Sequence, residues 1–426
     1  MPHRLVAAAA GRFGGGVRVE PARERWVAIL ATVDTKGPEA EFLRGWFQER
    51  GWVAKVVDVG LRPPLGSGRP DVSREEVAQA AGVEVTGLQH MRRDRALAAM
   101  GEGAARLLLR WWEEGRLAGA VGLGGNQGTA AACIALRSLP LSVPKVVVST
   151  VASGNLRPYL HASDIAVMFS VADFLGGPNR ITRTVLARAA GMLLGALQAD
   201  PPAPGDRPAV AVTALGNTHG AVSALVDWLR EKGYEPVAFH ASGAGGTAME
   251  QLLEQGAFTA VLDVTTHELV GEVFPEDIYA PVRPGRVRTA GRLGVAQVVA
   301  PGGLDYFIFG TPGSVPDKYR DRPTHYHNPY NTNVQARPEE VRRVAEELVD
   351  RLNEASGPAA LVVPLRGWSY IGEQGGPLWD PEIPEVLRRV ARARLRGSVR
   401  YVEVDAPLNH PAFVRAVQEV FGEMRG

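Results

Sequence analysis

The residues best suited to chemistry begin at Gly122-Leu123-Gly124-Gly125-Asn126-Gln127-Gly128-Thr129, between a predicted strand over residues 119–123 and a predicted helix running to Arg137. Glycines there permit positive φ and let a backbone approach a ligand. Free N–H groups at the start of a helix favour an anion such as phosphate. Asn126 and Thr129 can add side-chain hydrogen bonds. The run is not a P-loop, because no Gly-Lys-Ser/Thr follows. Nor is it a dinucleotide fingerprint, because Gln127 stands where G-x-G-x-x-G has its third glycine. The bland alternative is a tight strand-to-helix turn with no ligand.

A second group is Thr32-Val33-Asp34-Thr35-Lys36-Gly37, at the carboxyl end of the first predicted strand. Ligands of open α/β sheets bind outside those ends. Lys36 can neutralise a phosphate, Asp34 can hold Mg²⁺ through water, and Thr35 adds a hydroxyl. The alternative is a solvated turn in which Asp34 and Lys36 pair weakly. Lysine is scarce, with five in the chain, so one inside a motif is informative. A third group, Ser149-Thr150-Val151-Ala152-Ser153-Gly154, ends another strand, with Asn155 and Arg157 close behind. Ser149, Thr150, Ser153 and Gly154 can close a pocket on the same sheet edge, or simply make an ordinary turn. Asp58 ends the second strand, where a nicotinamide-binding domain places its ribose acid. The preceding turn is not glycine-rich, which argues against that cofactor.

Further along, His240 precedes Ser242-Gly243-Ala244-Gly245-Gly246-Thr247, Asp305 follows Pro301-Gly302-Gly303-Leu304, and His325-Tyr326-His327-Asn328 falls in a Pro/Gly/Asn/His-rich stretch. His240, Asp305 and His327 are candidate catalytic groups, as an acid/base pair or as ligands in a metal-assisted reaction. Their spacing matches no metal motif, and surface or structural histidines are the plainer reading. His267-Glu268 lacks the second histidine of H-E-x-x-H.

Apolar runs alternate with helix-period segments along the chain, the pattern of parallel α/β sheets. Strands are predicted at 26–33, 55–59, 119–123 and 145–150. Helices are predicted after Pro38, after a Ser73/Glu76 capping box, and at 95–114, 129–137 and 181–198. Asp200-Pro201-Pro202-Ala203-Pro204-Gly205 reads as a linker. The pattern then restarts. Asn217-Thr218-His219-Gly220 stands where Asp34-Thr35-Lys36-Gly37 stood, and residues 295–299 resemble 143–147. Strands are predicted near 209–213, 260–264, 359–364 and 399–404. Helices are predicted at 221–232, 338–353, 382–396 and 411–421. Residues 301–337 read as one long loop, of the kind that is functional or mobile. The expected fold is α/β, with two Rossmann-like parallel-sheet subdomains facing an interdomain cleft. The expected organisation is an N-terminal arm (1–25), a nucleotide-binding subdomain (26–199), a linker (200–207) and a second subdomain (208–426).

Composition agrees with a globular protein. The 426 residues are 45% hydrophobic and carry a net charge of +1. That balance argues against an electrostatically driven nucleic-acid binder. No apolar run is long enough to span a membrane. The single cysteine, Cys133, allows no internal disulfide and fits a cytoplasmic setting.

Taken together, these segments resemble a known family. They are Ala31-Thr32-Val33-Asp34-Thr35-Lys36, Pro70-Asp71-Val72-Ser73-Arg74-Glu75-Glu76-Val77, the Gly122 to Thr129 run and Val143-Pro144-Lys145 through Gly154. In the second half they include residues 239–250, His325-Tyr326-His327-Asn328-Pro329 and Pro364-Leu365-Arg366-Gly367. The chain resembles the family related to the ATP-binding N-terminal region of the tomato mosaic virus resistance protein. That resemblance implies two Rossmann-like subdomains, ATP binding and a tendency to form homodimers. The phosphates would then lie on Gly124 to Thr129, with Lys36 neutralising charge and Asp34 steadying Mg²⁺. A metal-assisted enzyme using the histidines and a non-catalytic, nucleotide-gated dimer stay open as alternatives.

Overall fold

The structure is a computed structural model that describes residues 25–64, 69–199 and 205–425. The expected arm and most of the expected linker lie outside the described residues. The described residues divide into two compact units, one before and one after position 203 in the sequence, and each is taken by itself.

The first unit holds β1 (Trp26–Ala31), α1 (Val33–Gln48), β2 (Val53–Asp58), α2 (Arg74–Ala81), α3 (Val85–Leu88), α4 (Arg93–Glu113) and β3 (Leu117–Gly124). It continues with α5 (Asn126–Leu136), β4 (Lys145–Ser149), α6 (Arg157–Leu160), β5 (Ala166–Phe169) and α7 (Arg180–Gln198). Its five strands lie in the order β2-β1-β3-β4-β5, all parallel. β1 and β3 are buried along their whole length. They are continuous apolar runs because helices cover both faces of a parallel sheet. One core packs α2, α4 and α5 on one face, and another packs α1 and α7 on the other.

Local signals set the helix ends. Ser73 caps α2 in a complete capping box with Glu76, and Asn179 caps α7 in the same way with Thr182. α1 breaks at Lys36, whose φ and ψ are −127° and 17°. The regular helix resumes behind it with Pro38 near its first turn, where a missing N–H costs little. Lys36 thus stands at a kink above the end of β1.

The second unit holds β6 (Ala209–Ala214), α8 (His219–Glu231), β7 (Glu235–His240), α9 (Ala244–Glu254), β8 (Ala260–Thr265), α10 (Glu268–Val273), α11 (Thr289–Leu293), β9 (Ala296–Gly302) and β10 (Tyr306–Phe309). It ends with β11 (Thr324–Asn328), β12 (Asn331–Gln335), α12 (Pro338–Asn353), β13 (Ala359–Pro364), α13 (Glu382–Arg394), β14 (Val399–Val404) and α14 (Pro411–Arg425). Its main sheet runs β7-β6-β8-β9-β13-β14, again parallel. This is the first sheet's order with one strand added. β1 and β6 occupy the same place, as do β4 and β9. The internal likeness of Asp34–Gly37 to Asn217–Gly220 therefore follows corresponding strands, and that of 143–147 to 295–299 falls at corresponding strands.

The stretch read as one long loop, residues 301–337, is not a loop. It holds a three-stranded antiparallel sheet in the order β10-β12-β11. The strands were hidden because one face mixes polar with apolar residues. Phe307 and Phe309 enter the core with Val334, while Tyr306 and Ile308 turn to the other face with Asn331 and Asn333.

Candidate functional site

In the first unit, the loops after β1 and β3 open on one cavity of about 300 Å³. Its lining includes Asp34, Thr35 and Lys36 at the start of α1, Gly125 just before α5, and Asn126, Gln127 and Gly128 at the start of α5. In the strand order, β1 connects outward to β2, while β3 continues the other way to β4. The crevice between β1 and β3 is therefore the topological switch point, where open α/β sheets bind ligands.

The glycine turn is built for close approach, but not through positive φ. No glycine from Gly119 to Gly128 has positive φ, and Gly125 sits at −80°, −158°. The expectation of positive φ is thus corrected. What the turn needs is the missing Cβ. A Cβ on Gly124 would lie 2.7 Å from Gly128 Cα, and one on Gly122 would lie 2.6 Å from Ala132 Cβ. Gly125 is different. Its Cβ would meet only Thr150 Oγ1, at 3.5 Å. α5 has no side-chain cap, and its first three residues, Asn126, Gln127 and Gly128, line the cavity.

Cations surround this opening. Lys36, Arg62 and Arg93 all line the cavity, against Asp34 as the one carboxylate among the described lining residues. The Lys36 ammonium donates to the Phe174 carbonyl at 2.5 Å. Its charge is held at the rim by a neutral acceptor. Arg93 bonds the Gln127 carboxamide. Leu61 and Leu97 supply an apolar wall. Sequence reasoning missed both arginines. Arg62 lies in the loop after β2 and Arg93 at the first residue of α4, and in an arginine-rich chain neither stands out. Their common signal is position, since each opens or follows an element at the carboxyl edge of the sheet.

The other expected residues divide by role. Thr129 and Ser149 are buried and bond each other through their hydroxyls at 2.7 Å. Ser149 also accepts from Val151 N–H. They brace the turn and do not line the cavity. Thr150 donates its N–H to Gly124 O. Asn126 accepts from Tyr159 Oη at 2.9 Å. Ser153 and Gly154 are exposed and stand outside the cavity lining. Asp58 is fully buried, and its Oδ1 accepts from Val33 N–H and Gly60 N–H at 3.1 and 2.8 Å. Burial pushes its carboxyl up to about 6. It ties down the loop after β1 and is not presented to a ribose.

The second unit shows what the same turn chemistry looks like when filled. Gly243-Ala244-Gly245-Gly246-Thr247 opens α9, and there Gly243 does adopt positive φ, at 97°. Glu268 Oε1 accepts from Gly243 N–H and from Gly246 N–H. Its other oxygen accepts from Arg286 Nε at 2.5 Å, and Arg286 also pairs with Asp263 and Glu250. A protein carboxylate occupies the anion position. A Cβ on Gly246 would lie 1.7 Å from Glu268 Oε2, so only glycine leaves room.

His240 and His327 line a single cavity in the second unit. Asp305 does not join them. It is buried, accepts from Ser369 Oγ at 2.9 Å and is pushed up to about 6 by burial. His267 is also fully buried, paired with Asp277 and bonded through Nδ1 to Gly303 O. Burial pulls its pKa down, but Asp277, Gly303 O and Asp305 outweigh that and hold it raised. Among the described residues, no three His, Cys, Asp or Glu side chains gather as a metal-binding group. No described helix is long and apolar enough to cross a membrane.

Comparison with known proteins completes the picture. Residues 25–202 match the N-terminal domain of the uncharacterised protein family UPF0261, and residues 207–425 match its C-terminal domain. The chain belongs to this family. A UPF0261 protein of Clostridium tetani is 34% identical over 396 residues, covering 92% of this chain and 96% of that protein. One from Rhizobium meliloti is 34% identical over 401 residues, covering 93% and 98%. The tomato (Solanum lycopersicum) ToMV resistance protein Tm-1(GCR237) is 32% identical over 355 residues, which is 80% of this chain and 46% of the tomato protein.

Proposed function

We propose that the first unit of this UPF0261 protein binds a nucleotide, ATP with Mg²⁺, at the switch point between β1 and β3. The observation that carries this reading is the contrast between two similar turns. The α9 turn has its N–H groups filled by Glu268, whereas the α5 turn is uncapped and faces a cavity lined by Lys36, Arg62 and Arg93. An uncapped helix N-terminus ringed by cations suits a phosphate. The Gly125 to Gly128 backbone would take the phosphates. Lys36 would leave the Phe174 carbonyl for them, and Asp34 would steady the metal through water. Leu61 and Leu97 offer an apolar face to a base. ATP is the nucleotide to test because of the resemblance to the ATP-binding region of the tomato protein. The resemblance also suggests a homodimer, and the buried lone cysteine suits the cytoplasm.

The test is calorimetric titration of ATP, with and without Mg²⁺, into the wild type, Lys36→Ala and Gly128→Asp. Micromolar binding that weakens in Lys36→Ala and vanishes in Gly128→Asp supports the reading. If neither ATP nor another nucleoside triphosphate binds the wild type, the reading fails.

A further inference from the structure

The second unit has its own cavity at the carboxyl edge of its sheet. It is lined by Leu215, Gly216 and Asn217 after β6, by His240 at the end of β7, and by Tyr279. Tyr306, Ile308, His327, Asn331 and Asn333 of the antiparallel sheet complete it. β6 connects outward to β7 and β8 inward to β9, so the loop after β6 borders this sheet's switch point.

The two cavities differ in charge. No Lys, Arg, Asp or Glu is among the described residues lining this one. Its polar groups are three carboxamides, two phenols and two imidazoles. The antiparallel sheet is arranged to bring them there. β12 alternates, so Asn331 and Asn333 share a face. Asn333 pairs directly with His325, and an irregularity between Tyr326 and Asn328 falls at His327. His325 and His327 stand with ring centres 6.3 Å apart. The phenols are anchored by two of the same lining amides. Asn217 Nδ2 donates to Tyr306 Oη at 3.2 Å, and Asn331 Nδ2 donates to Tyr279 Oη at 3.1 Å. His267 stacks on Tyr306 and meets Tyr279 edge-on, which fixes both rings.

Two acceptors are left over. Asn333 is 2% exposed and its Oδ1 has no hydrogen-bond partner, and Asn331 Oδ1 has none either. Leaving a buried acceptor unsatisfied is costly, and because both oxygens are sealed from water, a donor from outside the chain meets them only when the amides turn toward the cavity. An anion offers no donor to an amide oxygen. A carboxylate-free, cation-free lining also gives no counter-charge to an ionic ligand. A hydroxyl satisfies all three kinds of group, since it donates to an amide oxygen and accepts from an amide, a phenol or an imidazole. The ordered aromatic faces of Tyr279 and Tyr306 suit the C–H side of such a molecule. The cavity is an open one of about 50 Å³, room for roughly three to five waters, so a small ligand fits it and a longer one enters by one end.

We infer that the second unit carries a binding site for a small uncharged polyhydroxy compound, of polyol or simple sugar type, held by Asn217, Asn331, Asn333, His240 and His327. This site is separate from the nucleotide reading and stands without it. The probes are glycerol, erythritol, ribitol and D-ribose, titrated into the full chain and followed by saturation-transfer NMR, with inorganic phosphate as the competitor. Asn333→Leu keeps side-chain volume while removing the amide, and His327→Ala changes an exposed position that folding does not depend on. Saturable binding of at least one neutral probe, weakened tenfold or more in either variant and unaffected by phosphate, supports the site. No saturable binding of any neutral probe overturns it. So does binding unchanged in both variants, or displacement by phosphate. If Asn333→Leu fails to fold, as judged by its melting curve, Asn217→Ala replaces it under the same criteria.

Discussion

Glu268 and Gly246 are joined by a hydrogen bond from the glycine N–H to the glutamate Oε1, at 3.1 Å, in the fully buried interior of the second unit. The bond places a carboxylate of the chain where a helix N-terminus would otherwise meet a ligand. It also explains why two turns with the shared pattern G-x-x-G-T-A have different prospects.

Replacing Glu268 by alanine should therefore do two things. It removes one of three carboxylates around Arg286, which keeps Glu250 and Asp263, so the cost is that of the hydrogen bonds left unmade, about 1–3 kcal/mol. It also frees the N–H groups of Gly243 and Gly246 beside Arg286. Thermal unfolding should show a lower Tm, and added sulfate should raise the variant's Tm by more than the wild type's. Equal sulfate effects in the two proteins would mean that the vacated position does not take an anion.

The glycine turn of the first unit allows a sharper separation of folding from binding. A Cβ at Gly124 would meet backbone at 2.7 Å, whereas one at Gly125 would touch only Thr150 Oγ1 at 3.5 Å, with φ already negative. Gly124→Ala should cost about 1–3 kcal/mol of stability through overpacking. Gly125→Ala should leave the melting curve within about 0.5 kcal/mol, as harmless substitutions do, yet weaken ATP binding because the methyl group stands between backbone and phosphate. Normal affinity in a folded Gly125→Ala protein would move the phosphates away from this turn.

Arg93 tests the part of the site that the sequence concealed. Arg93→Ala should weaken ATP binding about tenfold, corresponding to about 1.4 kcal/mol for one charge-assisted contact. The loss should shrink as salt is raised, because the guanidinium is exposed and screened. Calorimetry at two ionic strengths measures both effects. An Arg93→Ala affinity equal to wild type at low salt would leave this arginine as a partner of Gln127 alone.

The contrast between Arg93 and Gly124 shows what the sequence made legible. The parallel strands could be read because buried strands are continuous apolar runs, and the helix at Ser73 because its capping box is local. The residues of the first cavity's two main loops were found because loops after strands are short and their glycines conspicuous. What escaped depends on contacts between distant residues. Glu268 reaches Gly243 across 25 positions, and nothing in the run of glycines reports that it is filled. The antiparallel sheet escaped because its second face, though largely buried, carries Tyr306, Asn331 and Asn333, which break the apolar alternation. Asp305 was grouped with His240 and His327 as a chemical candidate, yet its carboxyl faces Ser369. Residue type gave no indication of which way that side chain turns.

Asp58 gives a prediction with a defined sign. Its carboxyl is held at about 6 by burial, with Asp34 nearby adding to the effect, against an unfolded value of 3.8. The folded state therefore binds this proton more tightly than the unfolded state. Stability from this group is greatest below pH 3.8, falls as pH rises from there to about 6, and levels off above. At pH 7 the ionised, buried group is a net liability of up to about 3 kcal/mol, taking 1.36 kcal/mol per unit. Asp305 adds a slope of the same sign in the second unit. Asp58→Asn keeps an oxygen for the Val33 and Gly60 N–H groups but has no proton to lose. Its stability should match or exceed wild type at pH 7, and the decline between pH 4 and 6 should flatten, leaving the contribution of Asp305. Urea unfolding at pH 4, 5, 6, 7 and 8 measures this directly. A wild-type slope preserved in Asp58→Asn would show that Asp58 does not titrate in this range.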